Sequence, residues 1–305
     1  MAFRKPLPQR MPQAFAVADA VQHGMTKRQL RNPSLGRPFF GTRTAPGIEE
    51  GLFSRCLSLA TRMSRGQAFS HVTAARLHGM PLPPRLEREA NPLHVMSPAP
   101  VRALRYQGAI GHQARVTPAE ITLVSGLPVT AVERTWCDLA AILSVPDLVA
   151  AGDYLLCWEN PKTTTERLRD AVAHYPSQRG RSALRPALEV LSPRSRSRPE
   201  SLLRVALVTS PLPDPAPNFE VHLALSRRYL EIDLAYPKYK VGLEYQGDHH
   251  RQDRGQWRRD IRRGNDAVDE GWSMLYFTGD DTDQLGDLLA RVERRLRSRG
   301  WAGGR

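Results

Sequence analysis

The sequence predicts an α/β chain of the α+β kind, and three observations carry that reading. Along residues 198–300 the apolar period changes in the order helix, three strands, helix, strand, helix. Residues 25–175 read as mainly helical with a few short strands. Between the two parts, residues 176–197 replace apolar side chains with Arg, Pro and Ser, which cannot supply a core. At 305 residues and 41% apolar content the chain is long enough for two cores.

Residues 1–24 read as an N-terminal tail. The basic run MAFRKPLPQR is followed by a short apolar run that contains Asp19, so it does not make a secretory signal. Residues 25–30 form a short helix after Gly24, and residues 33–44 a turn with an extended, hairpin-like piece. Together they suit a small winged helix, with Lys27, Arg28 and Arg31 as candidate phosphate contacts on duplex DNA. The plainer reading of these three is solvated charge. Residues 51–63 and 69–78 read as helices, and 93–96 and 110–113 as strands. His71, His78, His94 and His112 show no ligand spacing and read as ordinary polar residues.

The stretch 176–197 carries Arg179, Arg181, Arg185, Arg194 and Arg196, with Arg198 just beyond it. Residues 182–191 suit a helix, and the remainder suits a mobile linker, since like charges and Pro disfavour packing.

In the C-terminal part, residues 197–209 place Leu202, Leu203, Ala206 and Leu207 on one helical stripe. Strands follow at 218–225, 229–236 and 240–246. A charged helix over 253–270 spaces Trp257, Ile261 and Val268 along one face, and Gly271 stops it. A fourth strand covers 272–278, and Leu285, Leu288, Leu289, Val292 and Leu296 line a last helix. Two strands carry acids where apolar residues are expected: Asp233 lies between Ile232 and Leu234, and Glu244 follows Val241 and Leu243. A buried carboxylate costs several kcal/mol, about as much as a protein rarely spends without a cation or donors nearby. Two such acids on adjacent strands suggest a shared partner, most simply a divalent metal, and hard oxygen ligands favour Mg2+ or Mn2+. The alternative is a pair of edge-strand acids in solvent or a structural ion pair.

Asp233, ten intervening residues, then Glu244-Tyr245-Gln246 followed by Gly247-Asp248-His249-His250 make this segment resemble the very-short-patch-repair-like endonucleases of the PD-(D/E)XK superfamily. The resemblance implies a nuclease core in which Asp233 and Glu244 are metal ligands and the Tyr245 carbonyl a third. It also places an acid on the first helix near the metal, a role open to Glu200. The residues themselves equally fit a capping box from Ser197 to Glu200. Gln246 departs from the pattern, because the wider superfamily usually has Lys there. Glutamine orients water or phosphate by hydrogen bonding but brings no charge. His249 or His250 suits proton transfer or phosphate contact, and Arg254, Arg258, Arg259, Arg262 and Arg263 on the next helix suit the nucleic acid backbone. Residues 70–75 and 128–135 resemble segments of AbiEi-type antitoxin and regulator proteins, which implies a DNA-binding winged helix in the N-terminal region.

A net charge of +13 favours a polyanionic partner. Cys56, Cys137 and Cys157 are too widely spaced for a metal knuckle, and their odd number cannot form a closed disulfide set, which points to a reducing cytoplasm. No segment approaches a membrane span, and no Gly-rich nucleotide loop occurs. The expectation is a Mg2+- or Mn2+-dependent DNA endonuclease acting on duplex DNA, as a homodimer or with a toxin–antitoxin-type partner. The alternative is a non-catalytic DNA-binding regulator that keeps a nuclease-like fold.

Overall fold

The computed structural model describes residues 11–224, 227–246, 254–279, 281 and 284–304, with the backbone alone for 254–261. The fold is mixed α/β of the α+β kind, with sheets of two, five and four strands. It divides into one unit of residues 1–139 and 173–179 and another of 140–172 and 180–305.

The first unit opens with β1 (Ala14–Ala16), α1 (Val17–Gln22), α2 (Lys27–Leu30) and β2 (Thr42–Thr44). β1 and β2 pair antiparallel from Ala14↔Thr44 to Ala16↔Thr42, and Phe15, Ala20, Leu30 and Leu35 pack between the elements. Residues 14–22 are therefore part of the fold rather than of a tail: Phe15 and Ala20 are apolar and have a core to enter. Thr26 caps α2 by a reciprocal box with Gln29, Gln29 N donating to Thr26 Oγ1 at 3.3 Å and Thr26 N to Gln29 Oε1 at 3.0 Å. The extended piece before Thr44 is not a full hairpin. It closes through one bridge, Gly36 to Thr44, and β2 takes β1 as its strand partner.

Next come α3 (Leu52–Ala60), β3 (Ala68–Phe69), α4 (His71–Leu77), α5 (Pro84–Glu87), β4 (Leu93–Pro98), β5 (Ala109–Ala114), β6 (Ile121–Val124), β7 (Leu127–Thr130) and α6 (Val132–Leu139). The sheet order is β5-β4-β3-β7-β6, with β4–β5 and β3–β7 parallel and the other two pairs antiparallel. Its central strand, β3, has only two residues, both fully buried, too few to show a period in sequence. β6 and β7 are joined by Ser125 and Gly126, both at positive φ, as a two-residue hairpin turn of the primed kind requires.

The second unit contains α7 (Val145–Leu156), α8 (Thr165–His174), which runs on into the first unit's 173–179 segment, α9 (Arg181–Glu189) and α10 (Arg198–Val208). β8 (Ala216–Leu223), β9 (Arg228–Tyr236), β10 (Val241–Tyr245), α11 (Arg254–Asp269), β11 (Ser273–Phe277) and α12 (Leu285–Ser298) follow. The sheet runs β11-β10-β9-β8, with β10–β11 parallel and the remaining pairs antiparallel. Leu234, Tyr236, Val241, Leu243 and Phe277 pack with Leu203 and Leu207 of α10 and Leu288, Val292 and Leu296 of α12. Leu230, Ile232 and Ala235 pack with Ala267 and Trp272 in a separate cluster. The sheet is thus covered by helices on both faces.

Two expectations change here. The helix expected over 182–191 forms at 181–189, but Arg194, Ser195 and Arg196 are tied down rather than mobile. Ser195 is buried and its Oγ accepts from Arg204 Nε at 3.1 Å, while Arg196 pairs with Glu159 at 3.0 Å and with Glu231. Acids in the folded unit neutralise the charge that read as a solvated run. On α11, Val268 is 57% exposed and the adjacent Ala267 is fully buried. A small residue fits against the sheet beside Trp272, so the buried face is turned by one residue from the expected stripe, whose Trp257 and Ile261 side chains lie outside the described residues. Gly271, at φ 81°, ends the helix as expected. Among the described residues no helix is long and apolar enough to cross a membrane.

Candidate active site

Asp233 sits where two ladders of the second unit lose their regularity. β9 and β10 pair from Tyr236↔Val241 to Leu234↔Leu243. One further step along each strand brings Asp233 beside Glu244, but there the bonding passes from backbone to side chain: Tyr245 N donates to Asp233 Oδ2 at 2.8 Å. On the other side the β8–β9 register places Asn218 opposite Asp233, and Asn218 drops out of the ladder at φ 43°. Asn is among the residues that tolerate this left-handed conformation. Arg194 holds it there, receiving the Asn218 amide on its carbonyl and donating Nη2 to Asn218 O at 3.3 Å. Ile232 and Leu234, which a regular strand would send to one face, join different clusters. The strand is re-aimed at Asp233, as at bulges beside functional groups.

Glu200, on the first turn of α10, is 9% exposed. Glu200 N donates to Ser197 Oγ at 3.3 Å, and its own carboxylate accepts from Ser197 Oγ at 2.7 Å and from Arg196 N at 3.0 Å. The cap expected from sequence therefore forms, with the return bond reaching Arg196 rather than the Ser197 amide. The same carboxylate acts on Asp233. Burial first, and then the Glu200 charge, push the Asp233 carboxyl up to about 6, against the pull of the Tyr245 amide and the Arg263 charge. Capping and proximity to Asp233 are compatible roles for one side chain.

Arg263 anchors by donating Nη2 to Glu231 O at 3.1 Å, and Arg262 is exposed on the same helix. Gln246 N donates to Phe277 O at 2.8 Å, extending β10 along β11, and the Tyr245 ring packs 5.5 Å from that of Phe277. The structure thus brings Asp233, Glu244, Tyr245, Glu200 and Arg263 to one end of the β9–β10 pair. His249 and His250 lie outside the described residues, as do the side chains of Arg254, Arg258 and Arg259. Lys27, Arg28 and Arg31 are exposed around α2, above the buried Gln29 and Leu30, in the first unit. Sequence reasoning passed over Asn218, Glu231 and Arg196, whose roles depend on a strand irregularity that leaves no periodic trace.

Ionising Asp233 works against the fold. Its folded pKa, about 6, lies above the 3.8 of a free carboxyl, so the stability contributed by its protonated form is present below that lower value and is lost as pH rises to about 6. Asp233→Asn keeps an acceptor for Tyr245 N without the charge, and is expected to raise stability at pH 7.5 by about 2–3 kcal/mol. Urea unfolding between pH 4 and 8 checks this. A variant less stable than the parent at pH 7.5 contradicts it.

The fold defines an α+β protein in which Asp233 lies at an irregularity of the four-stranded sheet, with Glu244 at the facing position of β10. No family model matches the chain. It is similar to two proteins of Mycobacterium tuberculosis, "Uncharacterized protein Rv2248" of strain H37Rv and "Uncharacterized protein MT2308" of strain CDC 1551. Each is 27% identical over 277 residues, covering 89% of this chain and 97% of the relative. Among solved structures, the RV2827C protein of Mycobacterium tuberculosis is 18% identical, covers 58% of this chain and 72% of that chain, and superposes with a TM-score of 0.41.

Proposed function

We propose that this chain is a metal-dependent DNA endonuclease of the PD-(D/E)XK, very-short-patch-repair-like kind. The observation that carries the reading is the Asp233 carboxylate: partly buried, raised to about 6, acted on by the Glu200 charge, and facing Glu244 one step beyond the last paired residues of β9 and β10. At Asp233 burial and the carboxylates of Glu200 and Glu231 outweigh the Tyr245 amide and the Arg263 charge, a balance that a bound cation relieves. The order and directions of the four strands, with a helix before and after the three antiparallel ones, support the same reading.

The donor set fits a hard divalent cation. The Asp233 and Glu244 carboxylates and the Tyr245 carbonyl are oxygen donors, and Mg2+ or Mn2+ needs few protein ligands of this type. When bound, such a cation supplies charge neutralisation at the scissile phosphate. The chain supplies the rest. Tyr245 N fixes the Asp233 carboxylate at 2.8 Å, and the Glu200 carboxylate, held by Ser197 and Arg196, adds negative charge beside it. Gln246 orients water or phosphate, His249 or His250 moves the proton, and Arg262 and Arg263, with Arg254, Arg258 and Arg259, hold the backbone of the nucleic acid. Lys27, Arg28 and Arg31 on the N-terminal module bind duplex phosphates. Cys56, Cys137 and Cys157 are all free thiols, which supports a reducing cytoplasmic setting.

A second reading, a DNA-binding regulator without catalysis, is favoured by Gln246, which brings no positive charge where a nuclease of this type usually has Lys. Incubating the purified chain with supercoiled plasmid, linear duplex, single-stranded DNA or RNA, each with Mg2+, Mn2+ or EDTA, separates the two. Duplex cleavage that EDTA stops is the expected result. Binding without cleavage under every metal leaves the regulator.

A further inference from the structure

Three histidines distant in sequence converge in the first unit. His71 opens α4 directly after β3, and His94 and His112 lie on the neighbouring strands β4 and β5, whose register sets Met96 opposite His112. His94 Nδ1 is 3.0 Å from His112 Nε2, and one nitrogen from each ring lies within 4.8 Å of the other two. His71 is buried and sits at φ 48°, a left-handed backbone that costs a side-chain-bearing residue about 1–3 kcal/mol. Strain of this kind persists where the surroundings fix the residue.

What fixes it is acidic and incompletely used. His71 Nδ1 lies 3.0 Å from Ser70 Oγ and 3.9 Å from Asp138 Oδ2. Asp138 is 1% exposed. Its Oδ1 accepts from Arg134 Nε at 3.0 Å and from the Tyr175 hydroxyl at 2.9 Å, while Oδ2 has no hydrogen-bond partner among the described residues. An orphaned carboxylate oxygen in a core is costly, and it faces the ring of a would-be ligand.

We propose that His71, His94 and His112 form a transition-metal site, for Zn2+ in the first instance, with Asp138 orienting His71 from behind. Imidazole nitrogens select Zn2+ and its neighbours over Mg2+, and three of them leave a fourth position for water or substrate. A ligating His commonly gives its other N–H to a carboxylate, which is the part Asp138 Oδ2 is placed to take. Burial pushes all three imidazoles below their ordinary value, helped by His112 and His94 at His71, by His112 at His94 and by Arg179 at His112; the site itself rests on the convergence of the three ring nitrogens. The rings of His71 and His112 are stacked, with centroids 3.7 Å apart and planes 15° from parallel. Sharing one ion requires a side-chain rotation that unstacks them, and turning His71 can also bring Nδ1–H onto Asp138 Oδ2. The rival is a stack of neutral histidines that serves only packing.

The test uses the full chain dialysed against Zn2+, with bound metal counted by mass spectrometry, and Co2+ as a spectroscopic probe. One equivalent of zinc is expected in the parent and in Glu244→Gln. The His94→Gln and His112→Gln variants, with circular dichroism like the parent's, are expected to lose it. Co2+ is expected to give the intense visible bands of a four-coordinate nitrogen site. No retained zinc in the folded parent, or zinc undiminished in the double histidine variant, overturns the proposal. If the variants do not fold, weak six-coordinate Co2+ bands in the parent overturn it.

Discussion

Glu244→Gln is expected to slow plasmid cleavage by about 100- to 1,000-fold, the usual scale for removing one charged or donor group from a reacting centre, while leaving DNA retention at low salt unchanged. The reason is local. The substitution keeps the shape of the β10 side chain and takes one negative charge from a pair whose other member, Asp233, is already hard to ionise because of burial and Glu200. The basic groups assigned to the nucleic acid backbone, Arg262 and Arg263 among them, are untouched, so the salt dependence of binding, which follows the number of phosphates neutralised, stays the same. A gel-based nicking assay beside a filter-binding salt titration reads both quantities. Cleavage and binding falling together would point to a lost fold or a lost surface, and cleavage unchanged would remove Glu244 from the chemistry.

Asp153→Ala is expected to destabilise the second unit by about 3–5 kcal/mol, the cost of breaking a buried ion pair from one side. Asp153, on α7, is 1% exposed and satisfies three donors: Arg204 Nη2, Ser201 Oγ and Ser192 N, each at 2.7 Å. Truncation leaves the Arg204 guanidinium, in a side chain 7% exposed, with its bonds to Val190 O and Ser195 Oγ but no counter-charge. It also strips the bonds that Ser201 and Ser192 donate to the carboxylate. Replacing both partners by apolar residues of similar size is expected to cost less than the single change, because no charge is then stranded. Urea unfolding of the parent and of the single and double variants, read at the midpoint, decides. A single-variant cost below about 1 kcal/mol, the range of exposed pairs, would mean that water reaches the pair.

These contrasts show what the sequence does and does not disclose. The strands and helices from α10 to α12 lie within a few residues of where alternation and the helical period put them, because each buries one face against a partner and has to declare that face. The polar pair Ser201 and Arg204 breaks that logic: α10 buries a second, polar face against α7, and an Arg in a helix reads as solvated until its partner, Asp153, is seen. Arg194, Ser195 and Arg196 were misread for the same reason, since Glu159, Glu231 and Asn218 come from other segments. The acids Asp233 and Glu244 were conspicuous, being out of place in apolar strands. The irregularity around Asp233 was not, because it depends on the left-handed Asn218 with its anchor Arg194 on one side and on the Tyr245 amide on the other. The three histidines have no sequence spacing to betray them: two strands and a helix start bring them together, and only the β4–β5 register shows it.

The most direct measurement is Mn2+ binding to the full chain at pH 7.5, followed by the loss of the free-ion electron paramagnetic resonance signal, in the parent, Asp233→Asn and Glu244→Gln. The nuclease account predicts an Mn2+ site in the parent that is lost in both variants and that weakens in the parent as pH falls through about 6, where Asp233 takes up a proton. Binding that is equally strong in all three chains, or absent from a folded parent, would contradict it.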